Sequence, residues 1–192
     1  MSYLVDFILS IRQMLRRKRH RIKEKTVVVG RGIKIYTPSE VIINKYVKLR
    51  DYIRINGNVS IGNNSDLRSF TFLDARGGFI NIGNNCSIND FSIIYGMGGV
   101  TIGDDVRIAT HTVIISGEHN FNDRDKLIRL QGVRPLEIII EDNVWIGANV
   151  TILGGSKVGN GSIIGAGSVV TKSIPPFSVA VGNPAKVLKT RV

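Results

Sequence analysis

Cysteine is almost absent: Cys86 stands alone in 192 residues, which excludes an internal disulfide and suits a reducing cytoplasm. No apolar run approaches the ~20 residues that a bilayer-spanning helix needs. The chain's start offers an apolar stripe instead, with Leu4, Ile8, Ile11 and Leu15 at helical spacing beside Phe7 and Met14, interrupted by Asp6. Positive charge follows this stripe rather than preceding it, and no small-residue cleavage site appears, so a signal peptide is not expected. Acidic residues are also scarce, 15 against 26 Lys and Arg, for a net charge of +11. Residues 1–25 carry +6 of that total: Arg12, Arg16, Arg17, Lys18, Arg19, Arg21, Lys23 and Lys25 against Asp6 and Glu24. Such a block attracts nucleic acid, an anionic membrane or an acidic substrate. No nucleic-acid-binding motif accompanies it, so no nucleic acid partner is expected. The expected structure of residues 1–25 is a basic amphipathic helix whose stripe packs on the domain or on a neighbouring subunit. A helix lying on the inner face of a membrane is the alternative.

What is present is glycine and a repeat. Apolar residues make up 43% and charged residues 21% of the chain, the balance of an ordinary globular protein. Gly is 21 of 192, or about 11% against a usual ~7%. An aliphatic residue recurs every six positions. The series runs Ile43, Leu49, Ile55, Ile61, Leu67, Leu73, then Ile82, Ile88, Ile94, then Ile102, Ile108, Ile114, and finally Ile140, Ile146, Ile152, Val158, Ile164, Val170. Four places after many of these stands a small or β-branched residue: Ser65, Thr71, Cys86, Ser92, Val106, Thr112, Val150, Ser156, Ser162, Ser168.

An inward side chain every sixth residue with a small residue at the bend describes short strands meeting at corners. Three hexads close one triangular coil, and coils stack at the ~4.8 Å spacing of paired strands. Corners such as Gly62-Asn63-Asn64 and Gly83-Asn84-Asn85 use residues that tolerate unusual dihedrals. The pattern predicts an all-β parallel β-helix of about six triangular coils, starting at Ile43, Ile61, Ile82, Ile102, Ile140 and Val158. The expected limits are residues 26–179 for the β-helix, with residues 26–35 as its cap, and 180–192 for a tail leaving it after Pro175-Pro176. Small bulges are expected before Ile82 and Ile102. A far larger interruption, residues 120–139, is expected to be extruded, and a long loop in a regular solenoid is usually functional.

Three His limit the catalytic choices. His20 lies in the basic block and reads as solvated surface. His111, between Thr110 and Thr112 in a hexad, reads as structural. His119 ends the last hexad before the long loop, where an imidazole can serve as general base. A zinc site of the γ-carbonic anhydrase kind needs three His ligands, two of them five residues apart. His111 and His119 are eight apart and His20 is remote, so that reading is rejected.

Residues 102–189 resemble the hexapeptide-repeat acyltransferases. The resemblance is carried by Gly117-Glu118-His119-Asn120-Phe121, by Gln131-Gly132 late in the loop, and by residues 140–153, 164–172 and 181–189. The Asn-Phe pair and the Gln-Gly pair are similar to the branch that modifies bacterial capsule or lipopolysaccharide sugars. The resemblance implies a left-handed coil, a homotrimer and transfer of acetyl from acetyl-CoA to a sugar hydroxyl, with no metal. It gives His119 the general-base role, with direct attack on the thioester and no acyl-enzyme, which leaves Cys86 as core. Asn89 matches the acceptor-binding Asn of the galactoside and maltose acetyltransferases. Gly96 stands where those enzymes carry an Asp for the acceptor, so their acceptors are not implied. Trp145, Ala148, Ala166, Thr171 and Lys172 match cofactor-binding positions. Lys186 and Lys189 stand where the family often has Arg near the nucleotide phosphates, and Lys makes no bidentate contact there.

The leading expectation is O-acetylation of a saccharide acceptor in a surface polysaccharide or its precursor. N-acetylation of a nucleotide-linked amino sugar and a non-catalytic β-helix scaffold are the competing readings. Relatives of the first kind often carry a separate βαβ domain at the front, for which residues 1–40 are too few.

Overall fold

Three columns of stacked inward side chains organise the protein. The computed structural model describes residues 2–192, with side chains described from Ile8 onward. The side chains of Leu4 and Phe7 therefore lie outside the described residues. One face of the prism runs Val28–Val29, Lys48–Leu49, Asp66–Leu67, Ser87–Ile88, Arg107–Ile108, Trp145–Ile146, Ile163–Ile164 and Ser178–Val181, all parallel neighbours. Lys186–Thr190 then adds one antiparallel strand at the end. We call this face A. Its inward column is Val29, Leu49, Leu67, Ile88, Ile108, Ile146, Ile164 and Ala180, each directly paired with the next and none more than 1% exposed.

Face B follows one corner later, and its column is Ile35, Ile55, Leu73, Ile94, Ile114, Ile152 and Val170. Face C completes each turn with Ile43, Ile61, Ile82, Ile102, Ile140, Val158 and Ile174. Every aliphatic residue of the six-residue series falls in one of these columns. Each buried Val, Leu or Ile contributes roughly 1.5–3 kcal/mol relative to exposure, so the stack is held by many similar increments.

The small residues of the repeat have a second task. Ser65 donates through Oγ to the Gly83 carbonyl of the next coil at 2.9 Å and accepts from the Cys86 amide at 3.0 Å. Ser162 does the same between the Pro175 carbonyl, 2.8 Å, and the Ser178 amide, 3.1 Å. Both serines are fully buried, so these bonds satisfy backbone groups that the bend would otherwise orphan. Cys86 occupies such a position, 2% exposed, and burial pushes its thiol pKa up.

The prism has eight coils, not about six. Residues 26–35 do not cap the stack but form its first coil, with Val29 on Leu49 and Ile35 on Ile55. The hexad spacing holds from Val29 to Ile35, and a single 3₁₀ turn, Pro38–Glu40, stretches the step to Ile43 and hides the pattern. At the other end the chain passes through Pro175-Pro176 into another rung, Ser178–Val181. Residues 182–185 then turn it back along face A. The extra residues before Ile82 and Ile102 lie at corners with positive φ, at Arg76 and Gly77 and at Gly99.

The helix Ser2–Arg19 covers the open edge of the first coil. Gln13 imitates a neighbouring strand: its Oε1 accepts from the Val29 amide at 2.8 Å and its Nε2 donates to the Val29 carbonyl at 3.2 Å. Arg16 also donates to that carbonyl, 2.9 Å, and Arg17 to the Val27 carbonyl, 3.1 Å. An uncovered edge would leave these groups free to pair with another chain. The expectation that the apolar stripe packs on its own domain is thus overturned. An edge strand presents polar groups, so polar side chains meet it, and Ile8, Ile11 and Leu15 stay exposed.

Candidate active site

The chain leaves face B after Val113–Ile115 and rejoins face C at Ile138–Ile140. Between them Gly117–His119 pairs antiparallel with Val133–Pro135, so the excursion is a ribbon rooted in the prism. Buried Ser116 closes the root. Its carbonyl accepts from the Leu136 amide at 2.8 Å and its hydroxyl from the Gly98 amide at 3.0 Å. Across the ribbon Glu118 faces Arg134, whose Nε donates to Oε1 at 2.7 Å and whose Nη2 reaches the same oxygen.

Beyond His119 the loop is held by two amide side chains. Asn120 Nδ2 donates to the Gln131 carbonyl at 3.0 Å. Gln131 Nε2 donates to the carbonyls of Asp123 and Lys126, both at 2.7 Å, and its Oε1 accepts from the Asp123 amide at 3.1 Å. Gly132 follows with φ +82°, a conformation that L side chains adopt only with strain. Between these two fixed regions the His119 side chain is exposed. Among the described residues no side-chain hydrogen bond within the protein engages its imidazole, which leaves both ring nitrogens available to a substrate.

The other predicted residues divide between face A and the corners that border face B. Trp145 stands outward on face A, 55% exposed, between Arg107 and Ile163 in register. Ala148 and Ala166 lie on successive coils where face A turns toward face B. The coils approach closely there: a Cβ on Gly147 would sit 2.6 Å from the Ala166 nitrogen. Asn89, half-buried, is on the same corner two coils before Ala148, with its amide on the Ile108 carbonyl at 2.9 Å. Lys186 and Lys189 lie on the antiparallel strand of face A, exposed. Thr171 and Lys172, also exposed, follow Val169–Val170 at the corner between faces B and C. That is the corner from which the His119 ribbon departs, whereas Trp145 is on face A. One subunit therefore displays the two halves of the predicted site on different sides of the prism.

Gly96 is fully enclosed. A Cβ there would meet Ile80 Cγ1 and the Phe79 carbonyl oxygen at 2.6 Å each, so this backbone leaves no room for a side chain. His111 takes φ +59° at a corner and stacks on Phe91, ring centroids 5.1 Å apart and 14° from parallel. His20, directly after the last residue of the helix, is half-buried. Burial, together with the charge of Arg19, lowers its pKa.

The bacterial transferase hexapeptide model (six repeats) matches residues 137–172. The Escherichia coli (strain K12) protein WbbJ, named as a lipopolysaccharide biosynthesis O-acetyl transferase, is 37% identical over 153 residues, covering 76% of this chain and 78% of its own. The chain belongs to the hexapeptide-repeat acetyltransferase family. It accordingly has the left-handed β-helix of that family. A galactoside acetyltransferase solved with coenzyme A is 27% identical, with TM-score 0.52, covering 91% of this chain and 69% of that one. An N-acyltransferase from Bacillus cereus solved with a dTDP-amino sugar and coenzyme A, 23% identical, shares the fold at TM-score 0.66 over 92% of this chain and 88% of its own. The chain spans only 42% and 52% of two other curated relatives, acetyltransferases by name from Schizosaccharomyces pombe and Mycobacterium tuberculosis.

Sequence reasoning passed over the Glu118–Arg134 pair and the bonding role of Gln131. The alternation of the ribbon, with His119 between a paired Glu and an amide-rich turn, was a usable signal for both.

Proposed function

We propose that the protein transfers acetyl from acetyl-CoA to a hydroxyl of a sugar in a bacterial surface polysaccharide or its precursor, as a homotrimer at the cytoplasmic face of a membrane. The observation that carries this reading is the free His119 imidazole on a ribbon fixed from both sides. His119 takes the proton of the acceptor hydroxyl as its oxygen attacks the thioester carbonyl. The tetrahedral oxyanion collapses, the C–S bond breaks, and coenzyme A leaves as the thiol with the proton returned by His119. A fixed donor to such an oxyanion typically contributes ~3 kcal/mol.

Trp145, Ala148, Ala166, Thr171 and Lys172 would line the pantetheine arm, small residues letting it lie against the coil, with Lys186 and Lys189 toward the phosphates. Asn89 would hold the acceptor. The closed surroundings of Gly96 remove the acidic contact that galactoside acceptors use, which favours a different sugar. Similarity to WbbJ supports the surface-polysaccharide class. The trimer reading draws on the outward side of face B, where Ile93, Tyr95, Val113, Ile115 and Leu153 form a half-buried apolar surface in one subunit. It draws also on the exposed apolar loop residues Phe121, Leu127, Ile128 and Leu130. Packing one subunit's loop corner on a neighbour's face A would bring His119 to Trp145.

The test is acetyl-CoA consumption with free sugars, nucleotide amino sugars and polysaccharides, run beside His119→Ala. Turnover on a sugar hydroxyl that collapses in the variant is the expected result. Preference for an amino sugar would replace O- by N-acetylation, and no turnover on any acceptor would favour a scaffold.

A further inference from the structure

The first coil and its helix carry a feature that acetyl transfer does not use. Gln13, Arg16 and Arg17 face the coil edge, as their bonds to Val27 and Val29 show. At 3.6 residues per turn, Ile8, Ile11, Leu15 and Lys18 then lie within roughly 50° of the opposite direction. Ile8, Ile11, Met14 and Leu15 are 37–56% exposed. Beside them runs a groove with Ile11, Met14 and Ile22 as apolar lining and Arg17, Lys18, Lys23 and Lys25 as its cations. Arg12 and Arg19 flank the stripe on the other side, both exposed.

The direction of this face follows from backbone chemistry. Amide and carbonyl groups of a parallel coil point along the prism axis, because that is the direction in which rungs bond. A helix that bonds to the last free groups of the stack must lie across the axis, and its outer face must look away along it. We infer that this outer face docks on an anionic phospholipid bilayer, with the prism standing upright on the membrane. The occupant is chosen on charge: an apolar stripe bordered by lysines and arginines matches acyl chains bordered by anionic headgroups, each nearby cation adding to the attraction. No helix among the described residues is long and apolar enough to cross a membrane, so the contact lies in the interface plane.

Trp145 belongs to the sixth coil and Val29 to the first. At ~4.8 Å per rung the proposed site would stand roughly 24 Å above the first coil, with the helix between that coil and the bilayer. The acceptor suited to that height is a sugar held away from the lipid on a membrane-linked chain, rather than one next to the headgroup. In a trimer with coils side by side, three stripes would share one plane and bind together.

This rests on the membrane placement proposed above and not on acetyl transfer, so the two can fail separately. The full chain is mixed with phosphatidylcholine vesicles with and without phosphatidylglycerol and floated, and solution mass and acetyl-CoA turnover on a soluble acceptor are recorded on the same preparations. The expected result is flotation only with phosphatidylglycerol. It should be abolished in Ile11→Ser/Leu15→Ser and weakened by about thirtyfold or more in Lys18→Glu/Lys23→Glu, with mass and turnover unchanged. Absence of flotation by the unaltered chain would overturn the inference, as would serine variants that float normally. A fall in oligomeric mass in the serine variants would assign the stripe to a contact between copies and also overturn it. Missing turnover with intact flotation would instead count against the acetylation reading alone.

Discussion

One corner of the prism is filled in two different ways along its length. The third residue after each face A aliphatic has left-handed φ in coil after coil: Gly32, Tyr52, Phe70, Phe91, His111, Asn149, Gly167, all between +57° and +72°. From the second coil to the fifth it bears rings, stacked at 5.1, 5.0 and 5.1 Å from Tyr52 through His111. From Asn149 onward it bears small residues, beside Ala148 and Ala166. The left-handed conformation is common to both stretches, but it costs about 1–2 kcal/mol per residue only where Tyr52, Phe70, Phe91 and His111 adopt it, since Asn149 and Gly167 tolerate it. Those four coils offset the cost with stacking, at ~0.5–1.5 kcal/mol per pair. The later coils leave the corner open, where the proposed cofactor arm would lie.

The widest break in this comparison comes from the catalytic side. His119→Ala should lower kcat by about 10²–10⁴-fold while the melting temperature stays put, since the side chain is exposed and bonds to nothing in the fold. A variant with full turnover would remove the general-base assignment. Ile114→Ala, in the buried column of face B, should do the opposite. It should cost about 2–5 kcal/mol of stability in denaturant titration, with KM for acetyl-CoA unaltered at temperatures where the protein is folded.

Asn149→Phe tests the contrast directly. A ring there would extend the ladder onto His111 and crowd the open corner, so stability should hold or rise while KM for acetyl-CoA increases about tenfold, or ~1.4 kcal/mol. An unchanged KM would show that the small residues serve packing alone. At Phe91 the two terms of the ladder can be separated. Phe91→Ala should cost about 1–2 kcal/mol through the lost stacking. Phe91→Gly should cost less, because glycine accepts φ +61° without strain; the reverse order would discard this account of the corner.

The smallest effect is electrostatic. Burial disfavours the charged form of Asp66, but the Arg50 hydrogen bonds at 2.9 and 2.7 Å and the charges of Arg50, Arg68 and Lys48 prevail, and its carboxyl titrates below its ordinary 3.8. A depressed carboxyl contributes stability that is complete above the unfolded value and is lost as pH falls through the folded one. Melting temperature should therefore drop more between pH 4 and pH 2 in the native protein than in Asp66→Asn.

The coil was legible because its physics is local and repeated. A residue such as Ile88 must point inward between Leu67 and Ile108 in any stack of six-residue strands, and eighteen aliphatic positions report the same rule. The first coil was missed where the Pro38 turn stretched one step, and the last where Ala180 stood in place of a larger aliphatic residue. Gly96 shows the other limit. Its departure from a family acid was visible, but that the position is sealed by Phe79 and Ile80 depends on how the preceding coil bulges at Gly77 and its own coil at Gly99.

The chain alone determined the prism, because burial of one aliphatic residue in six has a single economical solution when strands are short and corners small. Its resemblance to the family marked His119 and Trp145 as the residues on which acetyl transfer is proposed. The tertiary structure decided their separation onto different sides of one subunit, since faces are assigned only once the coil is closed. It decided too that the first helix turns its polar side inward. The apolar stripe of that helix was plain in the sequence, but its direction followed from unpaired backbone groups at the end of the stack, which exist only after the stack has formed.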